Sequence, residues 1–145
     1  MIIDTQALFS DDQAVTATAV STNIIDLGAT GTVPGGSTAL GRDIGKGTPL
    51  EILIQWTVAA VSGGASTVTV DLETDDNSSF SSATVLATTG AIGKASLVAG
   101  YQMKIHYMPR GAERYIRLNY TVATANLTAG AVTAGFVAGV QTADV

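Results

Sequence analysis

Chemistry in this chain has few places to reside. His106 is the only histidine and there is no cysteine. A catalytic imidazole needs a nucleophile and an orienting acid within reach. His106 instead follows Lys104 on the polar side of a run in which Tyr101, Met103, Ile105 and Tyr107 alternate with Gln102, Lys104 and His106. With no Asp or Ser in a triad-like arrangement beside it, it reads as a surface or interface histidine. Without cysteine, thiol nucleophiles, disulfide frameworks and cysteine zinc sites are excluded. Asp71, Glu73 and Asp75 share one side of a strand, with Asp76 and Asn77 next to them. Oxygen ligands at that density suit calcium. An extended chain, however, spaces same-face side chains by roughly 6.5–7 Å, and the order that wraps a loop around one ion is missing. The acids read as a solvated or partner-facing edge.

Two further patterns fail on spacing. The segment Gly41-Arg-Asp-Ile-Gly-Lys-Gly-Thr48 resembles a phosphate-binding loop, but Lys46 is followed by Gly47 where Ser or Thr is needed, and no Gly stands five before Gly45. Asn77-Ser-Ser79 and Asn126-Leu-Thr128 match the glycosylation sequon, as chance allows in a chain rich in Ser and Thr. No metal or cofactor is expected. An enzyme would be left with carboxylate chemistry and no pair of acids in an evident pocket, so the expectation is a protein that works through its surfaces.

The elements that position these residues are strands. In Glu113-Arg-Tyr-Ile-Arg-Leu-Asn-Tyr-Thr-Val122, Ile116, Leu118, Tyr120 and Val122 point one way and Arg117, Asn119 and Thr121 the other. A period of two marks a strand with one buried and one wet face. Residues 50–61 repeat the pattern with Leu50, Ile52, Ile54, Trp56 and Val58 on one side. Leu53 falls on the wetter side, which is therefore partly covered. Residues 67–74 follow with Val68, Val70 and Leu72 inward, and the short turn at 62–65 predicts a hairpin between the two. Further strands are expected at 14–22, 23–27, 83–88, 101–107 and 132–140, with a long glycine-rich loop at 28–47. About eight short strands with regular turn signals predict an all-β, single-domain jelly roll or antiparallel β-sandwich. Residues 1–12 mix Ile2, Ile3, Leu8 and Phe9 with acids and no clean period. They are expected to form an N-terminal arm docked on its own or a neighbouring subunit, with the sandwich spanning 13–145.

Charged residues make up 13% of the chain, against about 25% in an average domain, which suits a surface pressed against neighbours. The net charge of −5 argues against a general nucleic-acid partner. Residues 94–117 nonetheless hold five of the seven cations and one acid, a net of +4, leaving −9 for the rest. Asymmetry of this kind orients a molecule against a charged partner. No run of 18 apolar residues is present, so no membrane helix is expected, and the start lacks the pattern of a secretion signal.

With these residues laid out, the chain resembles the small capsid cement, or decoration, proteins of tailed bacteriophages. The resemblance runs through Asp4-Thr-Gln-Ala-Leu-Phe-Ser10, Gln13-Ala-Val-Thr-Ala17, Ile25-Asp-Leu-Gly28 and Arg42-Asp-Ile-Gly45. It continues through Leu72-Glu-Thr-Asp-Asp-Asn77, Phe80-Ser-Ser82 and Glu113-Arg-Tyr-Ile-Arg-Leu-Asn-Tyr120. It implies a jelly-roll homotrimer on the outer surface of the virion, made in the host cytoplasm and bridging major capsid proteins after the shell expands. The expected contacts are Ile2, Ile3, Leu8 and Phe9 of the arm and Arg110, Arg114 and Arg117 of the cationic window, with Asp71, Glu73 and Asp75 pairing across a trimer interface. A host-surface glycan is the further partner to consider. The competing reading is a carbohydrate-binding β-sandwich module with Tyr101 and Tyr107 as platforms, since Trp56 shares a strand face with Ile52 and Ile54 and reads as core.

Overall fold

A computed structural model describes residues 4–40 and 50–138; Ile2, Ile3, the segment 41–48 and the end of the last expected strand lie outside them. Ten strands are assigned among the described residues: β1 (Leu8–Ala14), β2 (Ala19–Val20), β3 (Ile25–Asp26), β4 (Glu51–Val61), β5 (Thr67–Asp75), β6 (Thr84–Thr88), β7 (Ile92–Gly93), β8 (Gln102–Ile105), β9 (Tyr115–Ala123) and β10 (Ala129–Val137). Two single-turn 3-10 helices, Thr5–Ala7 and Lys94–Ser96, complete them. One sheet has the order β1-β10-β4-β8 and the other β2-β9-β5-β6, with β3 continuing β2 along β9 and β7 continuing β6 along β5. Each broken pair fills one position. The ten strands therefore occupy eight positions in two antiparallel sheets, and the chain passes between sheets at every step except β5 to β6. That strand order is a jelly roll.

The inner faces are the ones the alternation marked. Ile52, Ile54 and Trp56 of β4 meet Val68, Val70 and Leu72 of β5 and Ile116, Leu118 and Tyr120 of β9 in one buried cluster. Trp56 is the largest fully buried side chain, and it lies against Gly130. A Cβ on that glycine would stand 2.9 Å from the indole, at a φ of +153° that side chains rarely adopt. The indole Nε1 finds no acceptor among the described residues. An unmet donor costs about 1–3 kcal/mol, while burying an aromatic of about 200 Å² is worth roughly 5 kcal/mol, so packing wins.

Three expectations are corrected. β4 and β5 are not a hairpin: they lie in opposite sheets, joined by a corner at 62–66. Ser62 and Ser66 are both buried there, their hydroxyls 2.6 Å apart, and Ser66 Oγ donates to the Ala125 carbonyl at 2.7 Å. Lys94 Nζ donates to the Ser62 carbonyl. Within the stretch expected as an arm, residues 8–12 instead open β1, Leu8–Ala14, which is paired with β10. Phe9 is fully buried with its ring 5.5 Å from that of Phe136. Leu53 faces outward yet is only 2% exposed. It pairs with Gly135, and Leu8 lies across that glycine from the other side, so the missing side chain lets a small apolar layer form outside the sheet. Leu50 and Val58, expected inward, are exposed. Leu50 precedes β4, and the register slips beside Val58.

The two sheets are also joined by a polar contact. The Tyr120 hydroxyl, fully buried, lies 2.8 Å from Ser10 Oγ, which donates to Gln13 Oε1 at 2.7 Å. Burial pushes the Tyr120 phenol up to about 12, against a smaller opposing effect from Ser10. A phenol whose value is raised by folding adds stability below the unfolded value near 10 and loses it as pH rises towards 12. Two units correspond to about 3 kcal/mol. Urea unfolding between pH 9 and 12 should therefore show stability falling by up to that amount, and Tyr120→Phe should remove most of the slope. An unchanged slope in the variant would exclude Tyr120 as its source.

Candidate interaction surface

The outward face of the β5/β9 pair carries most of the residues singled out from the sequence. Cross-strand partners there are Asp71 with Asn119, Glu73 with Arg117 and Asp75 with Tyr115. Adjacent strands bring opposite charges into one row, and the side chains meet. Arg117 Nε donates to Glu73 Oε2 at 2.7 Å and Asn119 Nδ2 to Glu73 Oε1 at 3.1 Å. The pair is well covered, with side-chain exposures of 19% for Arg117 and 10% for Glu73. The cover comes from Phe80, whose ring centroid lies 4.1 Å from the Arg117 guanidinium carbon. Glu73 and Arg117 are thus partners within one chain. The pairing across a trimer interface expected from their charges is already satisfied inside the subunit.

Asp75 serves its own loop. It is buried, and its two oxygens accept from the backbone N–H of Asn77 at 2.9 Å and of Ser82 at 2.7 Å. The Asn77 N–H, and after it the Ser82 N–H, holds the carboxyl below its usual 3.8 against the opposing effect of burial. The loop so gathered presents Phe80 at a positive φ of 52°, which aims its ring back at Arg117. The acidic edge is therefore three environments: Asp71 half-buried on the face, Glu73 neutralised by Arg117, and Asp75 tying a turn. Among the described residues no cluster of acids and histidine could hold a metal ion.

The cationic window divides similarly. Arg114 makes a bidentate pair with Asp26, at 2.9 and 2.8 Å, on the surface beside β3, and that contact raises its already high value. His106 lies 3.2 Å from Glu51 and is largely exposed. Lys104 and Arg110 are exposed and form no ion pair among the described residues. Of the basic residues proposed to grip a partner, Arg110 is available, whereas Arg114 and Arg117 hold the subunit together. Leu8 and Phe9 are buried within the subunit.

Sequence reading missed two features. Residues 31–40 form an exposed hairpin closed by the Thr32–Ala39 bridge. Its tip is a turn with Gly36 N–H donating to the Val33 carbonyl at 2.9 Å and Gly35 at a φ of +80°. Pro34-Gly35 is the signal for such a turn. Between the stem of this hairpin and the end of the β5/β9 pair lies an open cleft of about 410 Å³, lined by Ala29, Thr30, Leu40, Asp76, Ala112, Glu113 and Arg114. Val33 and Leu40 expose large apolar side chains nearby, and Tyr107 does so beyond β8.

The molecule is thus a jelly-roll sandwich whose charged groups are arranged as surface contacts and turn supports. The chain belongs to the Bbp16 family, which it matches over residues 9–136, from within β1 to within β10. It is a phage-related protein with a β-sandwich fold. No curated protein matches the chain.

Removing one member of the covered pair should cost more than removing an exposed one. Arg117→Ala leaves Glu73 covered and short of its strongest partner, and is expected to destabilise by about 2–3 kcal/mol, between the exposed and buried limits. The cycle Glu73→Gln with Arg117→Met, followed by urea unfolding, should give a coupling of about 1–3 kcal/mol. Zero coupling would contradict the pairing. Asp75→Asn should remove a stability loss that begins as pH falls below the ordinary carboxylate range, because a depressed carboxyl stabilises only while ionised. A wild-type acid limb unchanged in the variant would count against that role.

Proposed function

We propose that this protein is a capsid cement protein that binds the outside of an icosahedral phage head as a trimer and stabilises the expanded shell by bridging major capsid proteins. The observation that carries the reading is the match to a phage-related family across the whole jelly roll. The resemblance of its segments to decoration proteins supports it. A protein that binds the assembled shell and not the free subunits converts its binding energy into lattice stability. An oligomer touching the shell at several points sums weak contacts through effective concentration. The low charge content fits broad contact with neighbours, and among the described residues Lys104 and Arg110 are exposed cations outside the ion pairs, open to an acidic capsid surface.

The test is co-sedimentation of purified protein with expanded and unexpanded heads, alongside its mass by light scattering. Binding to expanded heads, a rise in their thermal rupture temperature and a mass near three times 14.7 kDa are expected. Failure to bind either form would overturn the reading. Lys104→Glu with Arg110→Glu should weaken head binding at least about tenfold, roughly 1.4 kcal/mol, with the unfolding midpoint unchanged. Unaltered binding would remove these two cations from the contact.

A further inference from the structure

The open cleft between the 31–40 hairpin and the end of the β5/β9 pair measures about 410 Å³, within the range of ligand pockets, roughly 300–1,000 Å³. Its walls are tied down by hydrogen bonds. The Glu113 N–H donates to Thr74 Oγ1 at 2.8 Å, and Thr74, itself buried, donates from that hydroxyl to the Tyr115 carbonyl at 2.9 Å. Arg114 is fixed by its bidentate contact with Asp26, its guanidinium carbon 4.9 Å from the centre of the Tyr115 ring. The Leu27 N–H donates to the Arg114 carbonyl at 2.8 Å, which ties the segment bearing Ala29 to the start of β9. The Leu40 N–H donates to the Gly31 carbonyl at 2.8 Å and closes the hairpin stem.

The lining is acidic once internal pairing is counted. It holds two acids, Asp76 and Glu113, and one base, Arg114, whose charge Asp26 meets. Asp76 and Glu113 are exposed and form no ion pair among the described residues. Asp76 also stands beside the buried Asp75 carboxylate, so a second negative charge adds at that end. The rest of the lining is mostly apolar, with Ala29, Ala112 and Leu40, the last 52% exposed. An anion is repelled from such a cleft. A metal ion lacks ligands there, since no group of three acids or histidine gathers among the described residues. A sugar ring finds no aromatic side chain in the lining to stack on. The chemistry that fits is an organic cation on an aliphatic stem, its charge beside the carboxylates and its methylenes on the apolar wall.

We infer that this cleft docks a lysine or arginine side chain from a segment of another protein, its charged end held by Asp76 and Glu113 and its stem on Leu40, Ala29 and Ala112. The inference rests on the cement reading for the owner of that segment, which is then the major capsid protein. The chemistry of the occupant comes from the cleft alone. An exposed ion pair is worth little by itself, so burial of the stem supplies much of the affinity. The two carboxylates supply selection: a neutral or acidic side chain in the same place leaves them without a partner. With Lys104 and Arg110 elsewhere on the surface, the subunit offers both signs of charge to its partner. A wrongly turned subunit then sets like charges together, which fixes the orientation of docking.

The experiment follows amide shifts of the isotope-labelled full chain by NMR during titration with capped single residues: N-acetyl-lysine methylamide, its arginine counterpart and its norleucine counterpart. Binding to expanded heads is measured alongside, on the wild type and on Asp76→Asn with Glu113→Gln. Both side chains are exposed and both substitutions keep their shape, so the variant should fold, and an unchanged unfolding midpoint checks this. Glu113→Gln alone is the second variant should the first be destabilised. The basic probes are expected to shift the amides of Ala29, Ala112, Glu113 and Arg114 saturably, and norleucine to leave them in place. The double variant should bind the basic probes and the heads at least about tenfold more weakly. No response to the basic probes, or the same response in the variant, would overturn the proposal. Equal shifts from norleucine would give the cleft to an apolar occupant, and shifts from calcium chloride alone would give it to a metal; either would overturn it too. So would head binding unchanged in the variant. If the wild type binds no heads, the cement reading fails while the probe titration still decides the cleft.

Discussion

A buried phenol must find a hydrogen-bond partner, and Tyr120 finds its partner on the opposite sheet. Its contact with Ser10 joins the middle of β9 to the edge strand β1, residues far apart in sequence. Apolar side chains hold two sheets together without fixing how one sits over the other, because dispersion and burial are non-directional. A single buried hydroxyl pair does fix it, since sliding either sheet leaves the Tyr120 hydroxyl unmet, while Ser10 keeps Gln13. Gln13 extends the constraint. It accepts from Ser10 and from the Thr22 N–H and donates to the Val20 carbonyl, so the turn from one sheet into the next is built from the same network. With β1 anchored, β10 is placed by its pairing to β1, and β4 by its pairing to β10.

How strands face was legible in the sequence; which sheet they join was not. Period two puts Ile52, Ile54 and Trp56 on one side of β4 and Val68, Val70 and Leu72 on one side of β5, and both sets are buried. Two strands of one hairpin and two strands facing across a sandwich show the same alternation. A five-residue connection serves either arrangement. The corner at 62–66 is decided by contacts to Ala125 and Lys94, which no local pattern announces. Phe9 was misassigned for a related reason. Its strand is interrupted by bulges near Asp12, whose φ of 47° breaks the alternation, and an irregular strand looks like an arm.

The charged residues were found as a group and misread as free. Arg117 and Glu73 are outward by alternation, and opposite charges on outward positions of two strands look available until the strands are known to be neighbours. Then the Glu73–Arg117 row follows at once from the register. Asp75 had a visible signal: an acid two residues before Asn77 and ahead of a Ser-rich run, the composition of a turn in which a side chain bonds its own backbone. Burial of a carboxylate is tolerable there because two N–H groups take the place of water.

Internal pairing has a consequence for how the surface works. Charges spent within the subunit cannot steer it toward a partner, and with Arg114 and Arg117 neutralised by Asp26 and Glu73 the window of net +4 shrinks to Lys94, Lys104 and Arg110 against Glu113. What remains outside is mostly Ser, Thr, Ala and Val, with apolar groups exposed at Val58, Val61, Val85 and Val98. Contacts made by such residues are weak one by one and tolerant of salt, since screening acts on exposed charges. A molecule with this surface gains little from attraction at a distance and much from many simultaneous short-range contacts. That is the regime in which assembly on a repeating lattice, rather than capture of a single partner, makes weak contacts sufficient.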